Sequence, residues 1–494
     1  MPVSLYVLLG SLLVIAAILS TRFAQHMGVP ALVLFVGVGM IAGTAGVDFT
    51  DYALSLNVGL LALAVILLSG GLDTDARLFL DSIVPAGMLS TVGVLLKMTL
   101  IGGLAYLLTP LDWLSGLLLG AVLAPTDAAA VFSVLKGCGL PKRLQGVLET
   151  ESGTNDPISI YLTLLLASII TTGEANLGSL VGGVVLQLGA GAVLGYGMGR
   201  GLVVVINRVE VDSVGLYPVL ALAGGLLTYA FTELVGGNGF LAIYMVGIVL
   251  GNRPLVHRHN IQSFMDGMAW GAQILMFVLL GLLVVPAELV PHIPTALLLT
   301  VGLILVARPL SVMLTIAPLG LLHKRFRFSW REQVLLSWAG LKGAVPIILA
   351  LVPLLNDVPG STFIFNVTFV CVVVGTAVQG LSIAPLARWL GLTGAPEPEE
   401  PLRIELIGAA PPGSAVLDLR LLPDAPAVGQ RLADLDIPAQ MVIAAVVRNG
   451  RLIAPRGAIR FQPDDHVYVI TEDAEADHLP RAFVPVAPSP RSSS

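Results

Sequence analysis

Uncharged apolar runs recur along the chain up to residue 391 and constrain its fold more than any other feature. Runs such as 58–68 and 297–306 lie within longer apolar segments, and about 20 apolar residues let a helix cross a bilayer. Charged residues make up 12% of the 494 positions, against about 25% in soluble domains. The 54 glycines suit closely packed helices better than a β-barrel. The chain is therefore predicted to be an all-α polytopic membrane protein.

About thirteen segments are long enough to span a bilayer, over approximately 3–21, 30–47, 53–71, 83–108, 112–135, 150–171, 178–205, 214–235, 239–252, 268–285, 294–316, 333–355 and 363–391. Basic residues such as Arg22, Arg77 and Arg325 collect in alternate loops, and the loops between them carry acids such as Asp51 and Glu288. Because Lys and Arg mark cytoplasmic loops, the amino end is predicted outside and the carboxyl end in the cytoplasm. The expected location is the cell (inner) membrane.

The composition changes at Gly394, where a Pro- and Glu-rich stretch begins. We predict four parts: a membrane domain over 1–393, a linker over 394–403, a cytoplasmic regulatory domain over 404–480 and a disordered tail over 481–494. After position 395 there are 9 basic and 14 acidic residues, so no nucleic-acid partner is expected.

The regulatory part is predicted to be a small α+β domain. A hairpin turn is expected at Asn449-Gly450 between alternating runs. The predicted strands cover 414–422, 441–447, 451–454 and 466–470, with a short helix at 429–435.

A polar stripe interrupts the sixth apolar segment. Its members are spaced i, i+3, i+4 and i+7 and so share one face of a helix: Ser152, Asn155, Asp156 and Ser159. Pro157 has no backbone N–H, so the carbonyl four residues earlier loses its helical donor. Carboxylate, amide, hydroxyl and carbonyl oxygens suit an alkali cation. We therefore predict a monovalent cation site at Asp156.

Two other segments are interrupted in the middle by Gly and Pro. The fifth contains Pro125-Thr126-Asp127, and the twelfth contains Gly340 to Pro346 with Lys342 near its centre. Interrupted helices in two halves of a membrane protein indicate inverted repeats with an ion site near the midplane. Asp127 and Lys342 can compensate the dipoles of the half-helix ends.

Charged groups at membrane depth also have structural explanations. Each costs about 2.5 to 3.5 kcal/mol to insert, so partners are expected. Lys97 and Glu233 are interpreted as structural partners of other charges. Glu151 and Arg308 are interpreted as a buried ion pair that holds the site together, in preference to a direct role in transport.

Several of these stretches resemble NhaP-type cation/proton antiporters, in particular their bacterial cell-volume-regulation, potassium/proton branch. The matching sequences include GAVLAPTDAAAVFSVL (120–135), LETESGTNDP (148–157) and SWAGLKGAVPII (337–348). The resemblance implies a homodimer in which a core bundle with crossed, broken helices moves against a dimerisation bundle. It also implies that the arginine at Arg308 pairs with the acid at Glu151. The ion- and proton-binding positions of the family correspond here to Asp156, Asn155, Asp127, Thr126 and Ser152.

Two positions differ from the family pattern. Ser69 stands where relatives often have an acidic residue, and Lys342 where arginine is usual. Lys342 keeps the charge but not the planar fork of a guanidinium. The C-terminal sequences VGQRL (428–432) and VRNGRL (447–452) resemble the C-terminal subdomain of regulator-of-potassium-conductance domains, which implies dimerisation and a small-ligand regulator.

These features predict a secondary active transporter that exchanges potassium, or sodium, for protons by alternating access in cation, pH and volume homeostasis. Because Asn155 precedes Asp156 in place of a second carboxylate, one charge carries one cation or one proton, and exchange is expected to be electroneutral. No cofactor and no enzymatic activity are expected. The alternative is a gated potassium channel or efflux system with a regulatory domain. An intramembrane aspartic protease using Asp127 and Asp156 is disfavoured, since the chain has no GxGD motif.

Overall fold

The computed structural model describes most of the chain, in two compact units: the first comprises 1–254 and 262–396, and the second comprises 255–261 and 397–494. The first unit is helical, and the second contains a β-sheet. The described residues are 3–27, 30–47, 49–135, 139–173, 177–211, 213–394, 402–405, 415–422, 425–435, 437, 441–448 and 451–471.

The described part of the first unit forms nineteen α-helices. Three short 3₁₀ or π turns adjoin them, at Val290–His292, Leu303–Ala307 and Lys324–Phe326. In chain order the helices are α1 Val3–Met27, α2 Ala31–Thr44, α3 Tyr52–Asp73, α4 Ala76–Ser90, α5 Val92–Leu108, α6 Trp113–Val122, α7 Ala128–Leu135, α8 Lys142–Thr172, α9 Leu177–Arg208, α10 Leu216–Leu234, α11 Gly239–Gly251, α12 Arg258–Leu282, α13 Pro286–Leu289, α14 Ile293–Gly302, α15 Arg308–Leu322, α16 Trp330–Trp338, α17 Val345–Leu349, α18 Leu351–Leu355 and α19 Ser361–Trp389.

By length and composition, seven helical segments within the described residues can cross a membrane: Tyr52–Asp73, Ala76–Leu108, Lys142–Thr172, Gly182–Arg208, Arg258–Leu282, Pro286–Leu322 and Ser361–Trp389. Shorter apolar helices accompany them at Val7–Arg22, Ala31–Thr44, Trp113–Val122, Gly239–Gly251 and Val345–Leu355. The predicted helical polytopic fold is confirmed. The count of thirteen spans stays a prediction.

Local signals in the sequence explain where the helices begin. The side chain of Asp51 accepts a hydrogen bond from the N–H of Leu54 at the start of α3, and Asp75 and Asp112 cap α4 and α6 in the same way. Such caps supply acceptors for N–H groups that lack a partner within the helix. Pro141 precedes α8, which begins at Lys142. The predicted span began eight residues later, because the first two turns of this helix contain polar residues that hydropathy excludes from a span.

Glycines bring helix backbones into direct contact. A Cβ atom added to Gly247 of α11 would lie 2.8 Å from the Cα atom of Gly71 in α3, and one added to Gly281 of α12 would lie 3.0 Å from that of Gly39 in α2. Side chains at these positions would push the helices apart. The high glycine content therefore serves close helix packing, as in other membrane proteins.

The two interrupted helices meet at their breaks. The chain is non-helical between α6 and α7 and between α16 and α17. The N–H of Asp127 in the first break donates a 2.8 Å hydrogen bond to the carbonyl of Leu341 in the second. In return, Lys342 Nζ lies 2.7 Å from the carbonyl oxygen of Pro125. The predicted interruptions are therefore present, and they contact each other.

The second unit contains a five-stranded antiparallel sheet of order β1-β2-β5-β3-β4. The strands are β1 Leu402–Glu405, β2 Ala415–Arg420, β3 Met441–Arg448, β4 Arg451–Ile453 and β5 His466–Thr471. The four predicted strands are present within a few residues. The sequence did not predict β1, which begins inside the proposed linker, and the predicted helix at 429–435 is a single 3₁₀ turn at Leu432–Asp434. The proposed turn at Asn449-Gly450 and the tail over 481–494 lie outside the described residues.

The Asp465 side chain, directly before β5, is fully buried. The Asp465 carboxylate accepts 2.8 Å hydrogen bonds from Nε and Nη2 of Arg448 and from the N–H of Gln462. Burial by itself raises the pKa of the Asp465 carboxyl, but these donors outweigh it and hold the pKa below its usual value. Because the folded-state pKa is the lower one, the stabilisation is present above the unfolded pKa of about 4 and is lost as pH falls through the folded pKa.

Replacing Asp465 by Asn is expected to destabilise the sheet by about 2 to 3 kcal/mol, because buried donors lose a charged acceptor. Hydrogen–deuterium exchange of the full chain at neutral pH should show faster exchange in β2 to β5. Asp464→Asn is the matched control, since its pair with Arg420 is largely exposed and is expected to contribute less than about 1 kcal/mol. Equal protection in the two variants would contradict the prediction.

Candidate ion-binding site

The predicted polar stripe lies in the middle of α8. Asp156 is 6% exposed and Asn155 is fully buried. Among the residues that the structure describes, the Oδ1 atoms of Asn155 and Asp156 and the hydroxyls of Ser159 and Thr163 are buried without a hydrogen-bond partner. Leaving buried polar atoms unpaired costs free energy, so their concentration on one helix indicates a place where a ligand or proton can bind.

The first helix break packs against this stripe. Asn155 Nδ2 lies 2.6 Å from Thr126 Oγ1, and Ser152 Oγ donates a 2.8 Å hydrogen bond to the carbonyl of Thr126. The Asp127 carboxylate accepts from the N–H of Ala130 at the start of α7. The fold thus brings together all five residues to which the sequence assigned ion or proton binding.

The second break contributes a positive charge to the same place. Lys342 is 2% exposed and donates to the carbonyl of Pro125, while Lys97 from α5 donates a 2.7 Å hydrogen bond to the carbonyl of Ala124. Both ammonium groups therefore lie just beyond the carboxyl end of α6, where the helix dipole favours cations. Lys97, which the sequence placed only as a structural partner, belongs to this cluster.

Glu151 lies one turn before Asn155 and contacts Arg308. The two side chains form a bidentate pair, with Arg308 Nη2 2.8 Å from Glu151 Oε2 and Nη1 against Oε1. Nη2 also donates to the carbonyl of Leu336 in α16, and Lys97 Nζ lies 3.9 Å from Glu151 Oε1. Arg308 follows the π turn at Leu303–Ala307. The pair therefore ties α8 to α15 and α16.

The Asp156 carboxyl lines a cavity of about 320 Å³. Exposure falls from Asp73 through Glu149 to Asp156, so the cavity leads from solvent to the buried carboxyl. Its polar lining also includes Thr74, Thr126, Asp127, Ser152, Tyr244 and Gln273. The cavity therefore places the buried Asp156 carboxyl and the more exposed acids in one continuous space.

The carboxylates of Asp73 and Glu149 also line the cavity, and neither was predicted from the sequence. Glu149 is seven residues before Asp156, and this spacing places both on one face of α8, so the periodicity could have identified it. Asp73, the last residue of α3, gave no such signal. Ser69, one turn earlier in α3, donates a 3.4 Å hydrogen bond to the Asp266 carboxylate, so a further acidic group lies close to this end of α3.

Comparison with known proteins identifies the family. The model of the family described as sodium/hydrogen exchanger, transmembrane, matches residues 11–389. The chain belongs to the sodium/hydrogen exchanger family. This family consists of transporters, which confirms the predicted class and favours an exchanger over the channel alternative. The TrkA-C domain model matches residues 416–484 of the exchanger, which confirms the resemblance of the C-terminal part.

Curated relatives align with between 66% and 99% of the exchanger. The K(+)/H(+) antiporter NhaP2 of Shewanella sp. (strain MR-4) is 39% identical over 486 residues, which cover 97% of this chain and 83% of the relative. The K(+)/H(+) antiporter NhaP of Alkalimonas amylolytica is 36% identical, with 99% and 84% covered. The Na(+)/H(+) antiporter NhaP of Pseudomonas aeruginosa is 33% identical, with 66% and 79% covered.

A solved structure shares the fold. The sodium proton antiporter MjNhaP1 from Methanocaldococcus jannaschii superimposes with a TM-score of 0.66 at 22% sequence identity, and the match covers 77% of this chain and all of that one. At this identity the likeness establishes the architecture alone.

Proposed function

We propose that this exchanger moves a monovalent cation and protons in opposite directions by alternating access, with Asp156 as the carrier. The observation that carries the proposal is a buried carboxyl whose Oδ1 has no hydrogen-bond partner within the described residues and which lines a cavity. The carboxylate can hold one cation or one proton, and the two compete for it. Thr126, Asp127, Ser152 and Asn155 supply or orient the remaining oxygens. Lys342 and the Glu151–Arg308 pair hold the broken helices in place.

Potassium is the proposed cation. Relatives that align with nearly the whole chain are K(+)/H(+) antiporters by name, whereas a relative that aligns with a shorter part is named a Na(+)/H(+) antiporter. The ligands are oxygens, which suit either ion. Sodium is therefore the second candidate.

The proposed setting is the cell inner membrane, with the amino end outside and the carboxyl end in the cytoplasm. There a homodimer would serve cation, pH and volume homeostasis.

The proposed division is a membrane domain over 1–393, a linker over 394–403, a regulatory domain over 404–480 and a tail over 481–494. The match to a TrkA-C domain supports a regulatory role, and a small ligand is the proposed effector.

The test is cation-dependent proton movement in proteoliposomes. Addition of potassium to vesicles with an acidic lumen should dequench a pH-sensitive dye, and sodium, rubidium and lithium serve as comparison ions. A chain that carries potassium without any change in luminal pH would be a channel, contrary to the proposal. Electrical current across a planar membrane under a cation gradient would contradict one-for-one exchange, which we propose because Asn155, and not a second carboxylate, precedes Asp156 in the sequence.

The acids along the cavity are expected to raise the local cation concentration. The double variant Asp73→Asn, Glu149→Gln should raise the apparent KM for the cation about fivefold with little change in maximal rate, because it weakens the negative potential without altering the carrier. The measurement is the initial rate of dequenching against potassium concentration. Glu210→Gln removes one exposed charge outside the cavity and should leave KM unchanged. A fall in maximal rate at constant KM would contradict the prediction.

A further inference from the structure

The polar face of α8 extends beyond Asp156. Glu149, Ser152, Asp156, Ser159 and Thr163 follow one another at intervals of three or four residues, so they share one face of the helix over about four turns. The first three line the cavity, and the last two do not. One half of this face is therefore open to the cavity, and the other half is closed.

The closed half carries hydroxyl groups without partners. Ser159 and Thr163 are fully buried, and neither hydroxyl has a hydrogen-bond partner among the residues that the structure describes. A serine or threonine in a helix can donate to the carbonyl one turn earlier, as Thr154 does to Thr150. Buried hydroxyls that lack even this bond cost free energy, and a state in which water or an ion reaches them would remove the cost.

Apolar packing closes the cavity on this side. Leu63 of α3 and Pro346 of α17 line the cavity. Gly59, one turn before Leu63, contacts Ile348, two residues after Pro346: a Cβ atom added to Gly59 would lie 3.0 Å from Cδ1 of Ile348. Ile348 is fully buried, and α17 also contacts α8. The cavity therefore ends where Ile348 fills a notch in α3.

We propose that Ser159 and Thr163 line the pathway on the far side of Asp156, and that separation of Ile348 from Gly59 opens it. This inference rests on the proposed alternating access, which requires a second route to the same carboxyl. Hydroxyl oxygens can replace water around a cation, and the helical face continues directly from Asp156. In the proposed orientation this half of the pathway leads to the outside.

The first test measures access from the outside. Both native cysteines are replaced by serine, and intact cells that express Thr163→Cys receive a membrane-impermeant methanethiosulfonate. The control is Thr368→Cys on α19, since the Thr368 hydroxyl is also fully buried and has no partner within the described residues. We expect Thr163→Cys to be labelled at least about tenfold faster, because a thiol reacts only where it is accessible. Equal rates, or no labelling of either variant, would overturn the proposal.

The second test removes the hydroxyls with little change in side-chain shape. S159A/T163V should lower the maximal exchange rate in proteoliposomes about tenfold, because the cation loses two oxygens along its path. It should also raise the unfolding temperature, since unsatisfied buried hydroxyls are removed. T368V should raise the unfolding temperature and leave exchange unchanged. Exchange by S159A/T163V at the wild-type rate would assign these hydroxyls to packing alone and overturn the proposal.

An engineered disulfide tests the closure. In the cysteine-free background, G59C/I348C places two thiols at the contact between α3 and α17. Oxidation should stop exchange and a reductant should restore it, because the bond holds this half of the pathway closed. Exchange that continues after mass spectrometry shows complete oxidation would overturn the role of this contact. Absence of exchange in the wild type would refute the proposed function, whereas labelling of Thr163→Cys is measured without transport, so the two failures are distinguishable.

Discussion

Replacing Asp156 by Asn is expected to abolish cation/proton exchange, with initial rates at least about a hundredfold below wild type, or about 2.7 kcal/mol in free energy. An amide keeps the shape of the side chain but neither takes up a proton nor balances a cation. The carboxyl lines the cavity and its Oδ1 has no partner among the described residues, so it is the group to which the proposal assigns the cation or proton. The measurement is dye dequenching in proteoliposomes of matched protein content.

The control for this variant is Asp81→Asn, the same chemical change at an exposed position. Asp81 pairs with Arg325, and both side chains are about two thirds exposed, so exchange should be retained. Both substitutions keep the size and shape of the side chain, so both variants should fold, and thermal unfolding of the purified proteins checks this. Exchange by Asp156→Asn at the wild-type rate would move the carrier to another residue.

Replacing Glu151 by Gln is expected to destabilise the protein by about 3 to 5 kcal/mol, because removal of one partner leaves a buried charge uncompensated. Arg308 loses both of its carboxylate hydrogen bonds, and Lys97 loses an acid 3.9 Å away. Lys342 lies in the same buried cluster. Thermal unfolding of the detergent-purified protein is the measurement.

The double variant Glu151→Gln, Arg308→Gln should recover more than half of this loss, since it removes the unpaired cation along with the acid. This recovery separates a structural pair from a transport group. Wild-type stability in Glu151→Gln combined with loss of exchange would assign Glu151 a direct role in transport. If the double variant regains stability although it still lacks Glu151, the result supports the structural interpretation.

The sequence could predict features that depend only on residues close together in the chain, such as the polar face of a helix or the interruption of a helix. The spacing of Ser152, Asn155 and Asp156 fixes a shared face, because a helix has 3.6 residues per turn whatever surrounds it. Pro125 identifies the first interrupted helix, and the glycines and proline of 340–346 identify the second, because these residues disfavour or disrupt a continuous helix.

The C-terminal domain shows where such signals fail. Strand β1 has only four residues in a Pro- and Glu-rich region, and it forms because each of its residues has a partner in β2. The predicted helix at 429–435 is shortened because Val428 and Arg431 bridge to Phe461 and Arg460, and because Gly429 has a φ of 84°. Long-range pairing outweighed the local propensity in both cases.

The amino-acid sequence by itself determined that the chain crosses a membrane as helices, and it identified the carboxyl, amide and hydroxyl groups suited to a cation. It could do so because hydropathy and helical periodicity are properties of neighbouring residues. Only the tertiary structure decided that Thr126 meets Asn155, that Lys97 joins the site and that Asp73 and Glu149 line the same cavity as Asp156. These contacts join residues far apart in the chain, and the packing of whole helices selects them.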